Sequence, residues 1–141
     1  MRIDFDLKNQ NLRLISPDDC GNSPKKKILK ELIEAFAKND VDFVAEYCTE
    51  NVKWNIVNDV YVQGLENVLR VYEKKLTSRI VEIELLNIIT HGNVGAVNGT
   101  AKLADHRVYS FCNVYNFVSA GKKTIKEITT YAIKMNNINN G

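Results

Sequence analysis

The sequence is poor in the residues that build disulfide frameworks and metal sites. Its three cysteines, Cys20, Cys48 and Cys112, are widely spaced among 141 residues and form no CxxC pair. An odd number of scattered cysteines favours neither a disulfide framework nor a zinc knuckle. The two histidines, His91 and His106, have no acidic residue or cysteine at ligand spacing on a helix. We therefore expect neither a bound metal nor a cofactor.

Long apolar runs and a large excess of charge are also missing. No run approaches the roughly 18 apolar residues of a membrane-spanning helix, and the first residues lack the apolar centre of a signal peptide. We therefore expect a cytoplasmic protein with no membrane partner. Nineteen basic and seventeen acidic residues leave a net charge of +2, which is too small a surplus for a nucleic-acid binder. The only basic run, Lys25 to Lys27, is interpreted as a solvated helix face.

The chain has enough apolar residues to form one domain with a hydrophobic core. Hydrophobic residues make up 45% of it and charged residues 26%, as in globular proteins. Both prolines, Pro17 and Pro24, bracket a turn-rich segment that we interpret as a linker. We divide the chain into an N-terminal arm and linker (residues 1–23), a domain (24–135) and a polar tail (136–141).

The first half of the domain predicts three helices. Ser23 is a suitable N-cap, Pro24 fits the first helical position, and apolar residues at 3.6-residue spacing continue to near Asn39. A shorter helix follows, and a third begins after Gly64. Two short strands are predicted between these last two helices, around residues 58–59. The arm before the linker is predicted as a short hairpin or an extended segment.

The second half of the domain predicts a sheet. From Arg79 onward the apolar period changes to two and β-branched residues dominate. The breaks predict four long strands over residues 80–90, 94–104, 107–118 and 123–135. Helices followed by an antiparallel meander are typical of α+β domains. We predict a cone in which three N-terminal helices pack on the concave face of a curved antiparallel sheet of four long strands plus short strands.

Several short motifs carry a resemblance to a known family. They are the helix end at residues 35–40, the strand start at 50–54, Gly64, and the paired segments 111–117 and 125–131. Together with the order of elements, they resemble the nuclear transport factor 2-like family, also called SnoaL-like, over residues 24–135. That fold hosts isomerases, cyclases, hydrolases, dehydratases and non-catalytic binding modules, so the resemblance implies the fold more closely than the function.

The resemblance implies that two kinds of acid-base chemistry are missing. Ketosteroid isomerases of this fold use two aspartates and a tyrosine, and the corresponding residues are Asn55, Asn113 and Leu32. Asparagine cannot accept the proton that the base aspartate takes. The epoxide-hydrolase branch needs paired aspartates bridged by an arginine, and only Asp105 and Arg107 lie close together, in an expected turn. Whether the protein is an enzyme stays open.

The resemblance also implies which residues line a cavity. If Asn113 faces inward, strand alternation turns Phe111 and its second neighbours to the same side. An amide could then donate to a ligand carbonyl, a tyrosine could supply a hydroxyl, and Trp54 could stack on a ring. The simpler alternative is that these aromatics fill the core. The predicted ligand-binding residues are Asn55, Asn113, Trp54, Tyr109, Phe111, Tyr115, Ile128 and Thr130.

Two functions are therefore open at this stage. The first is a pocket protein that binds, and in one version isomerises or cyclises, a small apolar or ring-containing metabolite with a carbonyl or hydroxyl. The second is a non-catalytic dimeric binding or interaction module. Alternation leaves Val108, Cys112, Val114 and Val118 on the convex face, and an apolar outer face needs cover. We expect a homodimer through the sheet.

Overall fold

Three helices and seven strands make up the described part of the chain. The computed structural model describes residues 12–17 and 23–136. In chain order the elements are β1 (Arg13–Ile15), α1 (Pro24–Lys38), α2 (Val41–Tyr47), β2 (Cys48–Ile56), β3 (Val60–Gln63), α3 (Leu65–Lys75), β4 (Ile80–His91), β5 (Val94–Leu103), β6 (Val108–Phe117) and β7 (Ile125–Lys134). The predicted α+β cone is confirmed, with each helix and long strand close to its expected bounds. The predicted start of the arm and the end of the polar tail lie outside the described residues.

Local capping explains where the first two helices begin and end. The Ser23 side chain accepts a hydrogen bond from the backbone of the first turn of α1, and Pro24 occupies the first helical position. The helix stops at Asn39, which adopts a left-handed conformation with φ of 61°. Asp40 then caps α2 by accepting from the N–H of Phe43. None of the helices in the described residues is long and apolar enough to cross a membrane.

All seven strands belong to one mixed sheet in the order β1-β4-β5-β6-β7-β2-β3. The four long strands β4 to β7 are antiparallel neighbours, as predicted, and β2 and β3 form an antiparallel pair. The flanking pairs differ from the prediction, because β2 runs parallel to β7 and β1 runs parallel to β4. Parallel pairs need long crossover connections, and the intervening helices and strands supply them.

Strands β4 and β5 approach each other closely at an irregular point in their pairing. Their register shifts between Leu85 and Asn87, as at a β-bulge. Opposite this irregularity, a Cβ on Gly99 would overlap the carbonyl oxygen of Glu84. Only a residue without a side chain lets the two backbones come this close.

In the described residues, one hydrophobic core packs between the helices and the concave face. Leu12 and Leu14, at the end of the arm, pack against this core, so this end of the arm extends the sheet edge. The core includes Leu29, Leu32, Val44, Val52, Val97, Tyr115, Phe117 and Ile125. Among the described residues, the buried side chains are apolar or, as in Tyr115 and Cys48, mainly apolar with one polar group.

Candidate functional site

The cone contains a cavity of about 520 Å³ that is open at one end. Helices α1 and α3 form one wall of it through Phe36 and Tyr72, and strands β2 and β4 to β7 form the other. The exposed residues 57–59 and Lys75 line its mouth. Both the size and the mainly apolar lining are typical of pockets that hold small organic molecules.

Strand alternation brings most of the predicted site residues into this cavity. Residues at every second position of β6 share the concave face, as do alternate residues of β7. Seven of the eight predicted residues line the cavity, namely Trp54, Tyr109, Phe111, Asn113, Tyr115, Ile128 and Thr130.

Asn55 is the exception, and its predicted position in the cavity is wrong. Its neighbours Trp54 and Ile56 line the cavity, so alternation turns Asn55 to the opposite face. There it lies beside Tyr61, its partner in the β2–β3 pair. The residues of β2 that do point inward cannot accept a proton either, so the correction adds no general base.

Four polar side chains in the cavity form one hydrogen-bond chain, called here the Trp54–Tyr115 chain. The indole Nε1–H of Trp54 donates to Oγ1 of Thr130 at 2.9 Å. Thr130 Oγ1 donates to Oδ1 of Asn113 at 2.7 Å, and Nδ2 of Asn113 donates to the hydroxyl of Tyr115 at 2.9 Å. A half-buried amide in a mainly apolar cavity needs such partners. The chain links β2, β7 and β6 and so fixes their polar groups relative to one another.

Tyr115 ends this chain deep in the core. Only 2% of the residue is exposed. Burial raises the pKa of its phenol well above the ordinary value, more than the hydrogen bond from Asn113 lowers it. The hydroxyl therefore stays protonated and keeps a proton that it can donate.

An aromatic cluster forms the wall beside the hydrogen-bond chain. The ring centroid of Phe36 lies 5.1 Å from that of Tyr72 and 6.4 Å from that of Trp54, and the Trp54–Tyr72 separation is 6.1 Å. All three rings line the cavity. Sequence reasoning missed Phe36 and Tyr72 because they continue the apolar stripes of α1 and α3. They are the aromatic members of those stripes, and this is the signal that could have identified them.

The charged groups at the mouth are paired. Lys75 and Asp59 form an ion pair with an Nζ–Oδ2 distance of 2.5 Å. Arg107 binds Asp105 through Nε at 2.8 Å, and its Nη1 lies 3.3 Å from the Tyr109 hydroxyl. The Arg107 backbone N–H, with smaller contributions from its side chain, lowers the pKa of the Asp105 carboxyl. Each cation at the mouth thus has its own carboxylate.

The lining limits the chemistry of the site. Within the described residues, Asp59 is the only carboxylate that lines the cavity, and no histidine or cysteine lines it. The same residues contain no cluster of three or more side chains suited to a metal ion. The interior can therefore hold a ligand by shape complementarity, contact with aromatic rings and hydrogen bonds.

Comparison with solved structures shows the same fold in several proteins. An NTF2-like protein of unknown function from Cytophaga hutchinsonii has 23% identity and a TM-score of 0.56, over 76% of this chain and 97% of that one. A proposed ketosteroid isomerase from Kribbella flavida has 12% identity and a TM-score of 0.67, over 83% of each chain. A proposed SnoaL-like polyketide cyclase from Jannaschia has 13% identity and a TM-score of 0.66, over 79% and 89%. Identities this low establish the architecture alone.

Sequence comparison identifies the family directly. No curated protein matches the sequence. A family model described as a SnoaL-like domain matches residues 29–125, which is more than half of the chain and contains all three helices except the first turn of α1. The chain therefore belongs to the SnoaL-like family.

Proposed function

We propose that the protein binds a small, largely apolar, ring-containing metabolite with a carbonyl or hydroxyl group inside the cone. The observation that carries the proposal is the Trp54–Tyr115 chain, which places ordered polar groups in an otherwise apolar cavity. Burying polar groups is costly unless each is satisfied, and filling a core does not require them. The aromatic cluster beside the chain supplies a surface on which a ring can pack.

Binding is the part of the proposal that the cavity supports directly. Two structural neighbours carry proposed assignments as a ketosteroid isomerase and a polyketide cyclase. An isomerisation or cyclisation here would depend on holding a substrate in a reactive shape, since the described interior lacks a carboxylate or imidazole base.

The experiment for this proposal is native mass spectrometry of the protein as purified, with a matched pair of variants. Asn113→Leu removes the amide in the middle of the hydrogen-bond chain, whereas Asn55→Leu makes the same change on the opposite face. We expect a small-molecule adduct on the wild type and on Asn55→Leu. Asn113→Leu should lose about 1–3 kcal/mol of binding free energy, because a polar ligand atom is left without its partner. Equal adduct occupancy in the two variants would contradict the site.

A second proposal concerns the convex face, where we infer that two copies of the chain pair. The pairing registers place one continuous row on this face across six strands. The row consists of Ile89, Ala96, Val114, Thr129, Asn55 and Tyr61. Ile89, at one end of the row, is 62% exposed. Ile133 lies on the same face of β7 as Thr129 and is 67% exposed. An exposed apolar sheet face of this kind favours a homodimer, and it also supports the alternative of a non-catalytic interaction module.

The cysteines support the cytoplasm as the proposed location. Cys48 and Cys112 are both free thiols. Burial raises the pKa of the Cys48 thiol to about 12, so it stays protonated and unreactive at neutral pH. Unpaired thiols are typical of proteins from reducing compartments.

A further inference from the structure

The hydrogen-bond chain in the cavity runs in one direction, from Trp54 to Tyr115. An indole N–H donates and cannot accept, so Thr130 Oγ1 must be the acceptor for Trp54. The threonine hydroxyl has a single proton, which it gives to Oδ1 of Asn113. The amide nitrogen of Asn113 faces Tyr115 and donates to its hydroxyl oxygen. In this orientation the single proton of Thr130 has an acceptor in Oδ1 of Asn113, which the opposite amide orientation would not provide.

This direction leaves donors unused at the inner end of the cavity. The Tyr115 oxygen accepts from Asn113, and its own proton finds no acceptor in residues 12–17 and 23–136. Nδ2 of Asn113 carries a second proton, which also has no partner in the same ranges. Both side chains line the cavity, and Tyr115 is almost fully buried. Buried donors of this kind gain most from an acceptor atom on a bound molecule.

We infer that the cavity selects uncharged compounds with a hydrogen-bond acceptor, such as a ketone or quinone carbonyl, which receives the proton of Tyr115. Trp54 and Thr130 are positioning residues, because they keep the amide oxygen of Asn113 occupied and turn its N–H to the Tyr115 oxygen, which leaves the Tyr115 proton free for the ligand. The inference rests on the proposed function and narrows its ligand from a carbonyl or hydroxyl compound to an acceptor. A carboxylate is disfavoured, because the nearest cations, Lys75 and Arg107, lie at the mouth and are already paired.

Three tricyclic compounds of nearly the same outline test the preference in the unmodified protein. Fluorene has neither a donor nor an acceptor at its bridging position, 9-fluorenone has a carbonyl there, and carbazole has an N–H. Calorimetry should show 9-fluorenone binding about tenfold more tightly than fluorene or carbazole, as one net hydrogen bond allows. The infrared carbonyl stretch of bound 9-fluorenone should lie below its frequency in an apolar solvent.

Removing the Tyr115 hydroxyl tests whether it is the group that donates to the ligand. Tyr115→Phe should lower 9-fluorenone affinity about tenfold, to that of fluorene, and return the carbonyl stretch to its apolar-solvent frequency. Fluorene affinity should stay within about twofold, which shows that the cavity is intact. Tyr61→Phe removes a hydroxyl on the opposite face and should leave all three affinities unchanged.

A separate binding measurement tests the positioning role of Thr130. Thr130→Val keeps the shape of the side chain but breaks the chain, so the Asn113 amide can rotate and present its oxygen. The preference for 9-fluorenone over carbazole should then fall from about tenfold to under about threefold, with fluorene affinity little changed. Thr130→Ser restores a hydroxyl and should restore the preference.

The outcomes separate this inference from the proposed function. Equal affinities for 9-fluorenone and fluorene, or a preference that survives Tyr115→Phe, would overturn the acceptor preference and leave a binding cavity. A preference that survives Thr130→Val would overturn the positioning role. If none of the three compounds binds, the proposed function fails together with the inference.

Discussion

Each polar residue in the cavity depends on the next one for its orientation. Alternation along β6 was enough to predict that Asn113 and Tyr115 share a face. It could not predict their partners, because the contact of Trp54 with Thr130 arises where β2 meets β7 from far along the chain. The error at Asn55 has a related cause. The β2–β7 register shifts between Cys48 and Lys53, and an error of one residue moves a side chain to the other face.

Tyrosine titration is a prediction at the scale of residues. Burial raises the pKa of both Tyr72 and Tyr115 above the ordinary value near 10. A phenol that holds its proton more tightly in the folded state contributes stability that is complete below the unfolded pKa. This contribution is lost as the pH rises from there toward the folded pKa. The folded protein should therefore lose stability above about pH 10.

Absorbance at alkaline pH checks this directly. The chain has six tyrosines, and the two buried phenols should ionise only when the protein unfolds, as a step that coincides with loss of secondary structure. Tyr72→Phe and Tyr115→Phe should each reduce that step. Smooth ionisation of all six in the folded protein would contradict the burial described here.

At the scale of elements, Lys25 shows how a basic residue holds the cone together. The three lysines at the start of α1 were interpreted as a solvated face, which does not explain Lys25. Its ammonium donates to the carbonyls of Gly92 and Ala120, each at 2.7 Å, and lies 4.5 Å from the ring centroid of Phe117. One side chain thus ties the helix to two loops of the sheet. Sequence patterns do not reveal this contact, because its partners are backbone carbonyls distant in the chain.

Replacing Lys25 should therefore destabilise the fold more than replacing its neighbour. Lys25→Met should lower the free energy of unfolding by about 1 kcal/mol, because two backbone carbonyls lose a charged donor. Lys27→Met is the control, since Lys27 is exposed on the same turn and should change stability by less than about 0.5 kcal/mol. Urea denaturation measures both, and equal effects would argue against the contacts of Lys25.

The close approach of β4 and β5 at Gly99 gives a second prediction at this scale. Gly99→Ala should cost about 3 kcal/mol, because the new methyl group would overlap the backbone of Glu84 and force the strands apart. Gly121→Ala is the matched control, since a Cβ there meets no atom within 4 Å. Thermal unfolding should show a large decrease in Tm for the first variant and a small change for the second. A tolerated alanine at position 99 would contradict the tight approach of the strands.

At the scale of the molecule, the order of elements was readable from the sequence and the sheet edges were not. The change of period near Arg79 separates helices from long strands, and adjacent long strands joined by short turns pair antiparallel. The parallel additions of β1 and β2 depend on crossover paths that periodicity does not encode. The arm was predicted as a hairpin or an extended segment, and its described end is a parallel edge strand.

Pairing through the convex face is the prediction for the whole molecule. Light scattering at micromolar concentration should give about twice 16.0 kDa. Ile133→Lys places a charge in the proposed interface and should produce monomers. Val41→Lys introduces the same charge at an exposed apolar residue of α2 and should leave the dimer intact. A wild-type protein that stays monomeric at high concentration would exclude the pairing.

The central claim is that the cavity inside the cone is a ligand site, and a crystal structure of the protein with 9-fluorenone tests it most directly. The account predicts the three rings against the aromatic cluster of Phe36, Trp54 and Tyr72, with the carbonyl oxygen within hydrogen-bond distance of the Tyr115 hydroxyl. The contrary result is a cavity closed by its own side chains, or a compound bound only on the outer surface of the sheet.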